Sequence, residues 1–91
     1  MSVVRAQAKV VNPNGIHARP ASVLIKALRD VRSRVTLSVG TRKADARSIL
    51  ELMMLTAVCG AEVGIEADGE DAQQAVDTLV ALFASGFGEG A

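Results

Sequence analysis

His17 is the only histidine of the chain, with Gly15 two residues before it and Arg19 two residues after. A neutral imidazole carries a ring-nitrogen lone pair that can attack phosphorus, and a guanidinium offers a fork of N–H donors that matches phosphate oxygens. The run Asn12-Pro13-Asn14-Gly15 is turn chemistry: Pro13 removes a backbone donor, and Gly15 opens backbone angles closed to other residues. From Ala18 a helical period begins, so His17 falls between a turn and a helix start. The N–H groups of a first helical turn lack intrahelical acceptors, and together with the helix dipole they favour an anion there. His17 and Arg19 thus describe a local phosphate site with a nucleophile in it. The same residue types also describe a surface histidine that caps a helix, and spacing alone does not separate the two.

Composition narrows the partners of such a site. The 91 residues hold ten basic and ten acidic side chains, so no global field gathers nucleic acid or an anionic membrane. Aromatics are 2% of the chain, with no Trp and no Tyr, which removes the stacking platforms of nucleic-acid binding. A single cysteine makes neither an intramolecular disulfide nor a metal cluster, so no metal and no cofactor is expected, and Cys59 reads as a buried or half-buried small apolar residue. Residues 1–11 lack the segments of a signal peptide, and no apolar run approaches the ~20 residues of a membrane span. The expectation is a monomeric cytoplasmic protein with no membrane insertion, folded as one domain over 1–91 with a flexible tail at 87–91.

The elements that must position His17 follow from periodicity. Residues 3–11 alternate as a strand, with Val4, Ala6, Ala8 and Val10 on one face. Ala21, Leu24, Leu28 and Val31 form the stripe of a first helix, with Pro20 in its opening turn where a missing N–H costs nothing. Val35, Leu37 and Val39 alternate in a second strand. Ala44 and Ala46 are the inward pair of a third, whose charged outward residues suit a sheet edge. Ser48-Ile49-Leu50-Glu51 has capping-box spacing, in which the Ser hydroxyl and the Glu carboxylate reciprocally satisfy orphan N–H groups, and a short helix should run to Leu55. Val63, Ile65 and Ala67 make a fourth strand. A last helix starts with Glu70 and Asp71 at its positive end and stops at Gly86. The order βαββαβα predicts an α+β fold: a four-stranded antiparallel sheet with three helices on one face, an open-faced sandwich. The other face meets solvent through Arg5, Gln7, Lys9, Thr36, Ser38, Glu62 and Glu66.

The segment Asn14-Gly15-Ile16-His17-Ala18-Arg19-Pro20-Ala21-Ser22-Val23-Leu24 resembles the active-site segment of HPr, the histidine phosphocarrier family of the phosphoenolpyruvate-dependent phosphotransferase system. Ala46-Arg47-Ser48-Ile49, Gly60-Ala61-Glu62-Val63 and Gly69-Glu70-Asp71 extend the resemblance over nearly the whole chain. Leu52-Met53-Met54-Leu55 and the ending Ala81-Leu82-Phe83-Ala84-Ser85-Gly86-Phe87 look closer to NPr, the nitrogen-related branch. The resemblance implies that His17 accepts a phosphoryl group on Nδ1 from enzyme I and passes it to a IIA-type protein, a carrier role without an enzymatic pocket. It implies that Arg19 is the phosphate-binding cation, that Ala18 and Arg19 supply helix-start N–H groups, and that Asn14 lies close to the phosphohistidine. Ser48 matches the serine that a dedicated Ser kinase phosphorylates in some members. Here, however, Glu51 places an acid one turn away, where it repels a phosphate. Thr56-Ala57-Val58-Cys59 also departs from the common Gly-containing loop.

The short helix carries too many apolar residues for one buried face. Leu52 and Leu55 can turn inward, which leaves Ile49, Leu50 and Met53 partly outside. In this family such residues resemble a docking patch, rimmed here by Lys26, Arg29 and Arg47. Two other classes compete with the carrier. A regulatory docking module of the same fold would use phosphorylation only as a switch. An acyl-phosphate hydrolase would need a water-positioning amide beside the arginine, and Asn12 and Asn14, both in one turn, are the only asparagines.

Overall fold

Each stretch in which apolar and polar residues alternate is a strand in the computed structural model, which describes residues 3–88. The elements run β1 (Val3–Lys9), α1 (Ala18–Ala27), β2 (Arg34–Val39), β3 (Arg42–Asp45), α2 (Ile49–Met54), β4 (Glu62–Asp68) and α3 (Ala72–Ala84), followed by a 3-10 turn at Gly86–Gly88. The sheet order is β1-β4-β2-β3 and every pairing is antiparallel. Helices cover one face only, as the element order predicts.

The register explains why β4 is an interior strand. On the open face Glu62, Glu66 and Asp68 stand opposite Lys9, Arg5 and Arg34 of the strands on either side. Arg5 Nε and Glu66 Oε1 close to 2.9 Å, an exposed pair of the kind that contributes about 0–1 kcal/mol. The covered face is more decisive, since burial of apolar area is the main favourable term in folding. Val35, Leu37, Val63, Ile65 and Ala67 of the sheet are buried there, with Leu24, Leu28, Leu52, Leu79 and Phe83 of the helices. β3 lies at the edge, where its outward charges predict it.

Two expectations need correction, those for Glu51 and Phe87, and Asp71 carries a contact that spacing does not announce. Asp71 occupies the N-cap position of α3 without a side-chain capping bond. Its carboxylate instead accepts hydrogen bonds from the Ser33 hydroxyl and from the N–H groups of Arg32 (2.8 Å) and Ser33 (2.9 Å), tying α3 to the α1–β2 connection. Gly69 permits this approach, because a Cβ there would meet Ser33 Oγ at 2.5 Å. Glu51 completes only half of the capping box. Ser48 Oγ accepts from Glu51 N–H (3.2 Å), but the Glu51 carboxylate reaches past the cap to Asp45 N–H at 2.9 Å, while Ser48 N–H donates to Asp45 O. Phe87 is no part of a loose tail: it is buried, with its ring edge-on to Phe83 at a centroid distance of 4.9 Å. Residues 89–91 of the expected tail lie outside the described residues.

The Ser33 hydroxyl, then the Arg32 and Ser33 N–H groups, hold the Asp71 carboxyl at about 2, below its ordinary value of 3.8. A depressed carboxyl stabilises the fold fully above its unfolded value and loses that contribution as pH falls through the folded one. Wild-type stability should therefore decline between pH 4 and pH 2 partly through Asp71. Urea unfolding followed over that range should show a shallower decline in Asp71→Asn, and parallel declines would mean that the contact does not stabilise the fold.

Candidate functional site

The site is built around one peptide unit. Between Gly15 and Ile16 the planar peptide carries the Gly15 carbonyl on one side and the Ile16 N–H on the other, pointing in opposite directions. Both ends are bonded. Asn12 Nδ2 donates to Gly15 O at 2.6 Å, and Ile16 N–H donates to Ala57 O at 2.8 Å. The turn is closed further by Gly15 N–H to Asn12 O (3.1 Å) and His17 N–H to Gly15 O (3.2 Å). Gly15 has φ +64, and a Cβ there would overlap the Ala57 carbonyl oxygen, so the position requires glycine for both conformation and space. Asn12 is fully buried. Its role escaped the sequence reading, although an asparagine opening a turn often bonds nearby backbone.

The turn delivers His17 to the N-cap position of α1 with an extended backbone, φ −104 and ψ −166. Its carbonyl accepts Ala21 N–H at 3.1 Å, so the helix begins there. Its ring makes no capping bond, which removes the helix-capping reading. The residue is half-buried, with Nε2 buried. Ala18 and Arg19 follow in the first turn, both exposed, with Pro20 buried behind them. No acid lies in that turn to compete for an anion. Among the described residues the Arg19 guanidinium makes no ion pair and no hydrogen bond. Asn14 is exposed in the same turn.

The loop after α2 is the other wall of the turn. Thr56 has φ +57, an uncommon conformation for a β-branched residue, with its hydroxyl donating to Met54 O at 3.1 Å. Cys59 is exposed rather than buried, its Sγ 3.9 Å from Val11 O, because the loop folds over the outside of the turn. α2 turns Leu52 and Leu55 into the core and leaves Ile49, Leu50 and Met53 exposed, as the count of apolar residues predicts. Met54 and Val58 are exposed with them.

Arg47 does not share in a free rim. Its guanidinium donates to the carbonyl oxygens of Ser33 (3.0 Å), Leu28 (3.3 Å) and Val31, closing the C-terminal end of α1. The N-terminal side of α2 therefore meets the far end of α1, and the loop after α2 meets the beginning of α1. The two helices run antiparallel, with the exposed apolar residues of α2 along the way from Ser48 to the His17 turn. Lys26 is exposed in the last turn of α1.

Residues 4–85 match the family model described as the PTS HPr component phosphorylation site. The phosphocarrier protein HPr of Cupriavidus necator is 43% identical over 81 residues, covering 89% of this chain and 91% of that protein. The phosphocarrier protein NPr of Proteus mirabilis is 40% identical over 81 residues, covering 88% and 90%, so overall identity does not separate the two branches. A crystal structure of an HPr from Thermoanaerobacter tengcongensis superposes with a TM-score of 0.91 at 31% identity, over 97% of this chain and 99% of that one.

Gly15→Ala should lose about 1–2 kcal/mol from the left-handed backbone alone, and more from the overlap with Ala57 O. Thermal unfolding measures the loss. A variant as stable as wild type would show that the turn does not need the close approach.

Proposed function

From a chain that belongs to the HPr family of phosphotransferase-system phosphocarriers, we propose a carrier cycle in which His17 accepts the phosphoryl group of phospho-enzyme I and passes it to a IIA-type protein. The observation that carries this reading is the His17 imidazole at the start of α1 without a capping bond, beside first-turn N–H groups and an Arg19 that makes no ion pair among the described residues. Nε2 lies on the buried side of the ring, and the tautomer with its proton there leaves Nδ1 a lone pair for the phosphorus. In the transfer, the Nδ1–P bond forms as the bond from phosphorus to the donor nitrogen breaks, and that bond's electrons remain on the donor. The reverse sequence passes the group to the acceptor. No water enters either step, and the protein needs no pocket of its own.

Arg19 supplies the forked cation for the phosphoryl oxygens, over which charge is spread in the transition state. The N–H groups of Ala18 and Arg19 add the field of the helix start. Asn14 offers a further polar side chain from the turn. Ile49, Leu50 and Met53 form the docking surface beside the site, and exposed methionine suits a surface that fits two different partners in turn. Lys26 adds positive charge at its margin. Ser48 reads first as the cap of α2, since its hydroxyl already accepts Glu51 N–H and a phosphoryl group there would face the Glu51 carboxylate.

Incubation with enzyme I and labelled phosphoenolpyruvate should label wild type in an acid-labile, alkali-stable form and leave His17→Ala unlabelled. Labelling of His17→Ala would overturn the assignment. Arg19→Lys should fold normally and transfer about tenfold or more slowly, because a point charge does not reproduce the fork. A full rate would make the guanidinium dispensable.

The patch separates stability from docking. Ser48→Ala should cost about 0.5–2 kcal/mol and leave transfer nearly unchanged. Ser48→Asp should keep the cap and weaken partner binding modestly. Met53→Asp puts the charge at the patch centre and should impair transfer more than Ser48→Asp, with little loss of folding. Unfolding of Met53→Asp would place that residue in the core, and normal folding with unimpaired transfer would leave the patch unused.

A further inference from the structure

We propose that Asn12 is a positioning residue for phosphoryl transfer, acting through the Gly15–Ile16 peptide on the imidazole of His17. The proposal rests on the reading of His17 as the phosphoryl acceptor. In it Asn12 acts by holding the backbone that carries His17.

A fully buried asparagine in a domain whose core is otherwise almost wholly apolar calls for a reason, because burying an amide is unfavourable unless it is hydrogen-bonded. Its Nδ2 atom meets that condition with a 2.6 Å bond to Gly15 O. That carbonyl also accepts the N–H of His17. The peptide holding it is bonded at its other end to Ala57 O. Glycine at position 15 has the widest backbone freedom of any residue type, so the peptide that follows it is the place where the turn could rotate most easily. Ala57 alone fixes one end of the plane and leaves a hinge; the Asn12 amide fixes the other end and closes it. The next residue in the chain after Ile16 is His17, whose backbone direction follows from that plane. A nucleophile displaced by about 1 Å can lose roughly a hundredfold in rate.

The chemistry predicts a particular signature. In that reading partners bind the exposed residues of α2, whereas the Asn12 amide bonds the turn, so loss of the clamp should lower the rate at saturating donor and leave the apparent affinity for enzyme I alone. Asn12→Leu removes the donor at similar volume and without adding charge, and Asn12→Ala removes it with a smaller side chain. Val76→Ala, a core truncation in α3 remote from the turn, supplies a control of reduced stability.

The test follows transfer from phospho-enzyme I in all four proteins, below the unfolding temperature of each, beside amide hydrogen exchange at Ile16. The Asn12 variants should transfer roughly ten- to a hundredfold more slowly at saturating donor, with KM for enzyme I within about twofold of wild type and faster exchange at Ile16 N–H. Rates within twofold of the Val76→Ala control, or a raised KM with an unchanged maximal rate, would overturn the proposal. A measurement on wild type keeps it testable even if both variants unfold. The Asn12 side-chain amide protons should be protected from exchange, and free exchange with solvent would also overturn it. Failure of the underlying reading looks different: wild type itself would then take no label from phospho-enzyme I.

Discussion

A single peptide group, Gly15–Ile16, bonded at its carbonyl by Asn12 and at its N–H by Ala57, is the constraint on which the site depends. It joins two parts of the chain that are far apart in sequence, the turn after β1 and the loop after α2. Because the join is made by backbone groups and one buried amide, it sets an orientation and not merely a proximity. That orientation starts α1 at His17, with the ring outside the helix and the first-turn N–H groups beside it. The requirement propagates to Gly15, where any Cβ would overlap Ala57 O, and to Thr56, which holds a left-handed conformation immediately before the carbonyl that completes the clamp.

A chain with no net charge can present an anion site only by controlling where its charges are committed. The acids of β4 stand opposite bases on β1 and β2, and Asp71 is held by the Arg32–Ser33 backbone. Among the cations, Arg5 pairs with Glu66, Arg42 donates to Leu55 O, and Arg47 donates to three carbonyls at the end of α1. Arg19 has no such commitment among the described residues, and it stands where the helix field is also positive. The local field at His17 thus arises from placement, and salt screens it beyond about 10 Å.

Where a signal was local and periodic, the sequence was readable. The strand alternations, the apolar stripe of α1, the edge position of β3 and the inward turn of Leu52 and Leu55 all follow from spacing within one element. What spacing did not show has other causes. Asp71 bonds residues 38 and 39 positions earlier, and Arg47 bonds carbonyls up to 19 positions earlier, so neither role has a neighbour in sequence to betray it. Glu51 had the right spacing for a reciprocal cap, but the Asp45 N–H at the end of β3 was within reach and took its carboxylate. Phe87 looked like tail because Gly86 ends α3; the left-handed Gly86 in fact turns the chain back so that the Phe87 ring meets Phe83. At the proposed site, residue type and spacing singled out His17 and Arg19, and both lie at the start of α1. Asn12 was not singled out, since a turn asparagine and a buried clamp have the same letter and only packing distinguishes them.

The same logic explains how so short a helix as α2 can carry an apolar outer face. Six residues cannot sustain a helix in water by their own backbone bonds. Here the ends are held from outside: Ser48 Oγ on Glu51 N–H and the Glu51 carboxylate on Asp45 N–H at the start, the Arg42 guanidinium on Leu55 O at the finish. Leu52 and Leu55, both nearly inaccessible to solvent, seal the inner side. With the fold secured by those groups, Ile49, Leu50, Met53 and Met54 stay exposed, and flexible methionine side chains can adapt to what is set against them. The loop that leaves this helix is the one whose Ala57 carbonyl clamps the His17 turn. The proposed docking surface and the proposed acceptor are therefore two ends of one rigid connection, and a partner seated on α2 would find the imidazole at a fixed distance and angle.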